Sequence, residues 1–288
     1  PRVAVRERVW TATRGVPPQS PPSSAYRLCP YGVRVDSLGA QHRQRQGTLF
    51  GLLAYLLWGA MPLYLHSLQP IGPWEVLAHR ILWSLVLCAG LLLVARRLRV
   101  LGPLLRDRRT LFGIVAASVL IAANWIIYVL AVLGGHVTEA SFGYFLNPLV
   151  TVALGVLVLH EQLRPAQWVA VGVGATACAF LALAYGQMPW IALALALSFA
   201  FYGLVKKQVS NRMDPLVGLT SETLVLAPLA LAVVVVLGLR GEATFATAGA
   251  GHSLLLVAAG PVTAIPLWLF GAAAARVPLV TIGLLQFI

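Results

Sequence analysis

The sequence predicts an all-α protein, a polytopic bundle of transmembrane helices. Three observations predict it. Of the 288 residues, 59% are hydrophobic and only 10% charged, against about a quarter charged in soluble domains. Apolar runs of about 20 residues recur along the chain, the length that a helix rising ~1.5 Å per residue needs to cross ~30 Å of hydrocarbon. Basic residues also collect in alternate connections between those runs.

Residues 1–46 stand apart. Proline, serine and arginine dominate, and PPQSPPSS is of low complexity, so a disordered basic tail is expected. It lacks the apolar centre of a signal peptide, so the first hydrophobic span is expected to be retained. Spans then run at 48–66, 74–94, 111–133, 139–159, 166–185, 189–205, 216–239 and 253–275, with a ninth starting near 278 and ending at 288. That is eight complete spans and a partial ninth.

Orientation comes from the connections. Arg96, Arg97, Arg99, Arg106, Arg108 and Arg109 share one; Arg164, then Lys206, Lys207 and Arg212, then Arg276 fall in alternate later ones, on the side of the tail. The intervening connections hold only Arg240. Positive charge stays inside, so a cytoplasmic N-terminus is expected. The formal charge of +12 is therefore a topology signal. It shows no aromatic interleaving or nucleic-acid motif, and no nucleic-acid partner is expected. Cys29, Cys88 and Cys178 have no metal-ligand spacing, so neither a metal site, a cofactor nor a disulfide framework is expected.

Most of the polar residues out of place in lipid lie in the hairpin from Asn124 to Glu161. Its second span carries Asn147-Pro148, and the proline leaves the Tyr144 carbonyl without its helical donor. Either the kink is merely tolerated or it is a break lining a substrate path. Sliding this hairpin along the chain reveals a repeat. Gly143 matches Gly283, an offset of 283 − 143 = 140, which also pairs Tyr128 with Trp268, His136 with Arg276 and Ser141 with Thr281. The same offset lays residues 51–64 over 191–204. Five spans per repeat is odd, so the halves would insert with opposite topology, as in many secondary transporters.

Arg80 costs at least ~2.5–3.5 kcal/mol at a bilayer centre and should face the bundle interior. Pro73 to Arg80 and Pro215 to Glu222 are equal spacings, so the repeats place opposite charges at equivalent positions. Each lies ~10 Å in from its own face, leaving the two levels roughly 10 Å apart in ~30 Å. Both are expected to line one central cavity, without a secured ion pair. Glu75 and His79 share a helix face as a titratable pair, or Glu75 simply complements a helix N-terminus. Glu139 follows Thr138, where an N-cap and a first-turn acid suffice; it is kept as a weaker candidate. Asn124 and Tyr128 share a face that Asn147 could approach, for substrate recognition or as helix glue contributing ~0.6 kcal/mol. Trp58 and Trp125 are placed to stack on a substrate, whereas Tyr64 and Trp74 suit the interfacial belt. Ala170, Gly174, Cys178 and Ala182 form a small-residue stripe for close packing, within the bundle or in a homodimer.

The runs ANWIIYVLAVLGGHVTEASFGYFLNPLVTVALGVLVLHEQLRPAQW and LALSFAFYGLVKK resemble the RarD proteins, EamA-domain members of the drug/metabolite transporter superfamily. The resemblance extends from Gly47 to Ile288. It implies an inner-membrane permease of two inverted five-helix repeats, here 47–186 and a shortened 187–288, ten helices being expected in the family. The expected function is secondary transport of a small organic solute by alternating access, with lipid and substrate as partners. A non-transporting fragment, or a membrane scaffold or regulatory subunit, is the alternative. An enzyme is not expected: HEQLR at 160–164 lacks the second histidine of H-E-x-x-H, and no Walker A loop is present.

Overall fold

The computed structural model describes residues 35–68, 71–186, 188–210 and 213–287. The chain divides into two units, Pro1–His42 and Arg43–Ile288. Of the first, only residues 35–42 are described, as the start of a helix; Cys29 and residues 1–34 of the expected tail lie outside the described residues. All regular structure in the described residues is helical. In chain order the helices are α1 (Val35–Gly59), α2 (Met61–Ser67), α3 (Pro73–Val94), α4 (Leu101–Arg106), α5 (Arg108–Leu133) and α6 (Val137–Leu159). Then come α7 (Pro165–Tyr185), α8 (Trp190–Ser210), α9 (Pro215–Arg240), α10 (Ala250–Ala274) and α11 (Leu279–Leu285). Among the described residues, 8 stretches are long and apolar enough to cross a membrane, and α11 lies where the ninth is expected to begin.

Helix ends obey local chemistry. Prolines open α3, α7 and α9, where a missing N–H costs nothing. The Asp107 carboxylate accepts from Thr110 N at 3.2 Å and that of Asp214 from Leu216 N at 2.9 Å, capping α5 and α9. Gly186 and Gly241 end α7 and α9 in the left-handed region, at φ 69° and 70°.

Three details differ from expectation. Residues 35–46 are helical: Ala40, Gln41, Arg43, Gln44 and Arg45 favour helix, and extending a formed helix is easier than starting one. The first span breaks at Ala60, where a proline in the first turn of α2 interrupts the ladder. Finally, α8 continues to Ser210, so Lys206 and Lys207 lie on the helix and not in a connection. Lys206 and Lys207 thus drop out of the loop charges; Arg96, Arg97, Arg99 and Arg106, between α3 and α5, still carry the asymmetry.

Within the second unit α3 packs on α9 and α10, α6 on α8 and α11, and α5 on α8. Gly260 makes the α3–α10 contact possible: a Cβ there would lie 2.6 Å from the Trp83 carbonyl carbon. Two members of the small-residue stripe of α7, Gly174 and Cys178, pack inside the chain. A Cβ on Gly174 would meet the Phe287 ring at 2.7 Å, and Cys178 Sγ donates to Phe145 O at 3.6 Å.

The core holds a buried ion pair among aromatic rings. Lys206 Nζ is 2.6 Å from Glu222 Oε1, with the side chains 2% and 3% exposed. Tyr202 OH donates to Glu222 Oε2 at 3.4 Å, and the Tyr202 ring stacks on Phe270 at 5.8 Å. Ser118 donates to the Glu222 backbone carbonyl at 3.3 Å, tying α5 to α9.

This packing makes two predictions about stability. Lys206→Met alone and Glu222→Gln alone each strand a buried charge or its partner, and each should cost about 3–5 kcal/mol. The double variant should recover most of that loss. Thermal unfolding in detergent reads this as large midpoint drops for the singles and a smaller one for the double; equal drops for all three would refute the coupling. Gly260→Ala forces the α3 and α10 backbones apart and should cost about 1–3 kcal/mol in the same assay.

Candidate functional site

A cavity of about 1110 Å³ occupies the bundle interior, large enough for a small organic molecule. It reaches from α2, the start of α3, the end of α5 and the start of α6 down to mid-bundle, where Asn124, Trp125, Phe199 and Leu267 line it. Its walls are mostly apolar, with the rings of Tyr55, Trp58, Trp125, Tyr128, Tyr144 and Phe199 set among aliphatic side chains such as Leu52, Leu65 and Ile121.

The opposite end of the bundle is closed by side chains. The Glu161 carboxylate accepts from Leu279 N and Val280 N, each at 2.8 Å, and so caps the N-terminus of α11. Lys207 donates to the Val277 carbonyl. Gly47 sits so close to the α10–α11 turn that a Cβ would lie 2.7 Å from Arg276 Cβ and from Val277 Cγ1. The Arg276 guanidinium covers the Phe50 ring at 5.2 Å.

Arg80 is the charged residue of the cavity wall among the described residues, apart from the titratable His66. Its Nε donates to Thr263 Oγ1 at 2.9 Å, and its guanidinium carbon lies 4.8 Å from the centre of the Trp125 ring. The cation is fixed between α10 and α5 by a hydroxyl and a ring face.

Several expected site residues are placed elsewhere. Glu222 does not line this cavity. With Arg80 and Thr263 it borders a void of about 10 Å³, too tight for a substrate, and its charge is taken up by Lys206. A single cavity lined by both charges is therefore corrected: the nearby lysine neutralises the acid. Asn124 lines the cavity floor, yet its amide donates to Leu195 O and Ser198 Oγ, both at 3.0 Å, gluing α5 to α8. Asn147 does not approach it. Asn147 Nδ2 donates to Gln286 Oε1 at 2.5 Å, and neither Asn147 nor Pro148 is on the cavity wall. The carbonyl that Pro148 orphans, that of Tyr144, accepts from Gln286 Nε2 at 3.3 Å. The proline break is thus repaired by a side chain one residue beyond the end of α11.

Trp58 and Tyr128 do line the cavity. Trp58 contacts Phe199 and Phe270 edge-on or tilted, at 5.7 and 5.6 Å, and Tyr128 meets Tyr144 at 5.9 Å. Tyr64, expected in the interfacial belt, donates to Leu255 O at 2.7 Å.

Glu75 and His79 are buried and face away from the cavity. Glu75 Oε1 accepts from Thr244 N at 2.7 Å and Phe245 N at 3.0 Å, and Oε2 accepts from Thr244 Oγ1 at 2.9 Å, pinning the α9–α10 connection. His79 Nδ1 accepts from Trp83 Nε1 at 3.1 Å, and its Nε2 lies 3.9 Å from Glu75, beyond hydrogen-bond reach. Glu139 is likewise a cross-link. It accepts from Ile191 N at 2.8 Å and Tyr185 OH at 3.1 Å, holding the first turn of α8. Thr138 is not the N-cap of α6; His136 is, because the helix begins at Val137.

Sequence reasoning missed Lys206, Thr263 and Gln286. Lys206 left one signal: it follows Tyr202 by four residues on a helix whose neighbour carries an otherwise unpaired acid.

Comparison with known proteins gives the context. Residues 45–183 match the EamA-like transporter family. The chain is 52% identical over 248 residues to "Protein RarD" of Streptomyces exfoliatus, covering 86% of this chain and 78% of that one. It is 40% identical over 252 residues to "Uncharacterized transporter YojE" of Bacillus subtilis, covering 86% and 83%. Against "Protein RarD" of Escherichia coli the identity is 37% over 244 residues, covering 85% and 82%. A solved crystal structure, 20% identical, shares the fold with a TM-score of 0.65 over 84% of each chain. The chain is thus a multi-pass membrane protein that belongs to the EamA-like transporter family, among its RarD-type permeases.

Proposed function

We propose that the protein is a secondary transporter that moves a small organic solute across the cell inner (plasma) membrane by alternating access, with its N-terminus in the cytoplasm. The observation that carries this reading is the asymmetry of the bundle. A large cavity reaches mid-depth from one end, while the other end is closed by the Glu161 cap on α11 and the contacts of Lys207 and Gly47. With the basic connections inside, the cavity faces outward and the closed end faces the cytoplasm.

The closing contacts are few and specific, as a bistable gate requires. Two charge-assisted hydrogen bonds, donated by Leu279 N and Val280 N to the Glu161 carboxylate, hold the start of α11. Losing even ~1.4 kcal/mol of preference for the closed end shifts the equilibrium tenfold. An opposite motion at the other end would pass the cavity contents inward. The 140-residue offset between the halves supports this, since inverted repeats interchange their conformations.

Leu52→Cys, in a background with the native cysteines replaced, places a thiol on the cavity wall. In vesicles of defined orientation it should react with an impermeant maleimide added from outside. Adding Glu161→Ala should raise its labelling from the cytoplasmic side several-fold. Labelling confined to one face in both proteins would refute alternating access through this cavity.

A further inference from the structure

We propose that the cavity takes organic anions with an aromatic body, chiefly aromatic carboxylates, and that Arg80 is the residue that anchors the anionic group. This deepens the transport reading above and rests on it.

The charge inventory comes first. Among the described residues, no aspartate or glutamate lines the cavity, and Arg80 is the permanent cation on its wall. No carboxylate of the described residues lies within ion-pair distance of Arg80; its side-chain bond is to the neutral Thr263 hydroxyl. The acid that could have neutralised it, Glu222, is across the small void and is paired with Lys206 at 2.6 Å. The interior of the bundle therefore contains two cations and one anion around this point, leaving one positive charge that faces the cavity. A lone cation at such depth is costly, and a bound anion would supply the missing counter-charge.

Geometry then narrows the ligand. Nε of Arg80 is committed to Thr263, and one face of the guanidinium to Trp125. Those two contacts fix the plane of the fork without using its terminal amino groups, which are the donors suited to two parallel bonds with a carboxylate. Four rings on the wall, those of Trp58, Tyr128, Tyr144 and Phe199, stand beside aliphatic side chains, a lining that suits an aromatic ring held by offset or edge-on stacking. A cationic amine would meet Arg80 as a like charge, with no acid on the described wall to receive it.

The test uses the full-length protein in lipid nanodiscs and three probes of nearly equal shape: phenylacetate, phenylacetamide and phenethylammonium. Titration calorimetry should show phenylacetate binding at least tenfold tighter than the amide, and no binding of the ammonium. Arg80→Gln should abolish the preference for the acid over the amide, and Arg80→Lys should retain part of it. If Arg80→Gln does not fold, the three-probe series on the unmodified protein decides the matter. An amide or ammonium that binds as tightly as the acid overturns the assignment, as does the absence of binding by all three. In either case the two-sided labelling of Leu52→Cys decides independently whether the transport reading stands.

Discussion

Hydrocarbon offers no hydrogen bonds, so the polar groups that these helices carry into it must be answered by other segments of the chain. That constraint accounts for the long-range hydrogen bonds of three glutamates. Glu75 gives its carboxylate to the α9–α10 connection, Glu139 to the first turn of α8, and Glu161 to the first turn of α11. In each case an anion on a helix of the first half, or at its end, satisfies free backbone N–H groups in the second. Charge-assisted bonds of this kind contribute about 1.5–3 kcal/mol each, more than neutral ones. At α8 and α11 they also fix position, because a helix N-terminus presents its donors in one direction.

Helix α6 shows how the constraint organises the fold. It holds α8 from its first turn through Glu139, and Glu161, just beyond its last residue, holds α11. Between them the proline break is repaired from outside, with Gln286 linking the Asn147 amide to the stranded Tyr144 carbonyl. Asn147 and Pro148 are off the cavity wall, while Ser141, Tyr144 and Phe145 of the same helix line it together with Gln286. One glutamine thus satisfies the polar groups at the break, and the cavity-facing surface of α6 is left chiefly to aromatic side chains.

The membrane class, the positions of the spans and several cavity residues were legible in the sequence because lipid leaves a strong compositional signal. Arg80, Asn124, Tyr128 and Trp58 stood out as polar or aromatic groups inside apolar runs, and all four reach the cavity. Partnership could not be read. Seven residues separate each span-opening proline from its charge, which pointed to Arg80 and Glu222 as counterparts. The resolution lay in Lys206, which looked like a connection residue because its helix seemed to end at Val205. Similarly, Glu75 and Glu139 looked like first-turn acids serving their own helices. Their carboxylates instead reach donors 46 or more residues away in sequence, a distance that no local pattern encodes.

Lys206 also determines what Arg80 is free to do. Had Glu222 lacked a closer cation, the two charges bordering the small void would have neutralised each other, and the cavity would have had no permanent charge on its wall. A lysine one helix away, seated where Gly271 leaves room for its chain, removes that option. Pairing within the second half is tight and buried, so it is costly to exchange. Arg80 is left with a hydroxyl and a ring, partners that orient it without cancelling its charge. A stability device in one half of the bundle thereby leaves the charge in the other half available to the cavity.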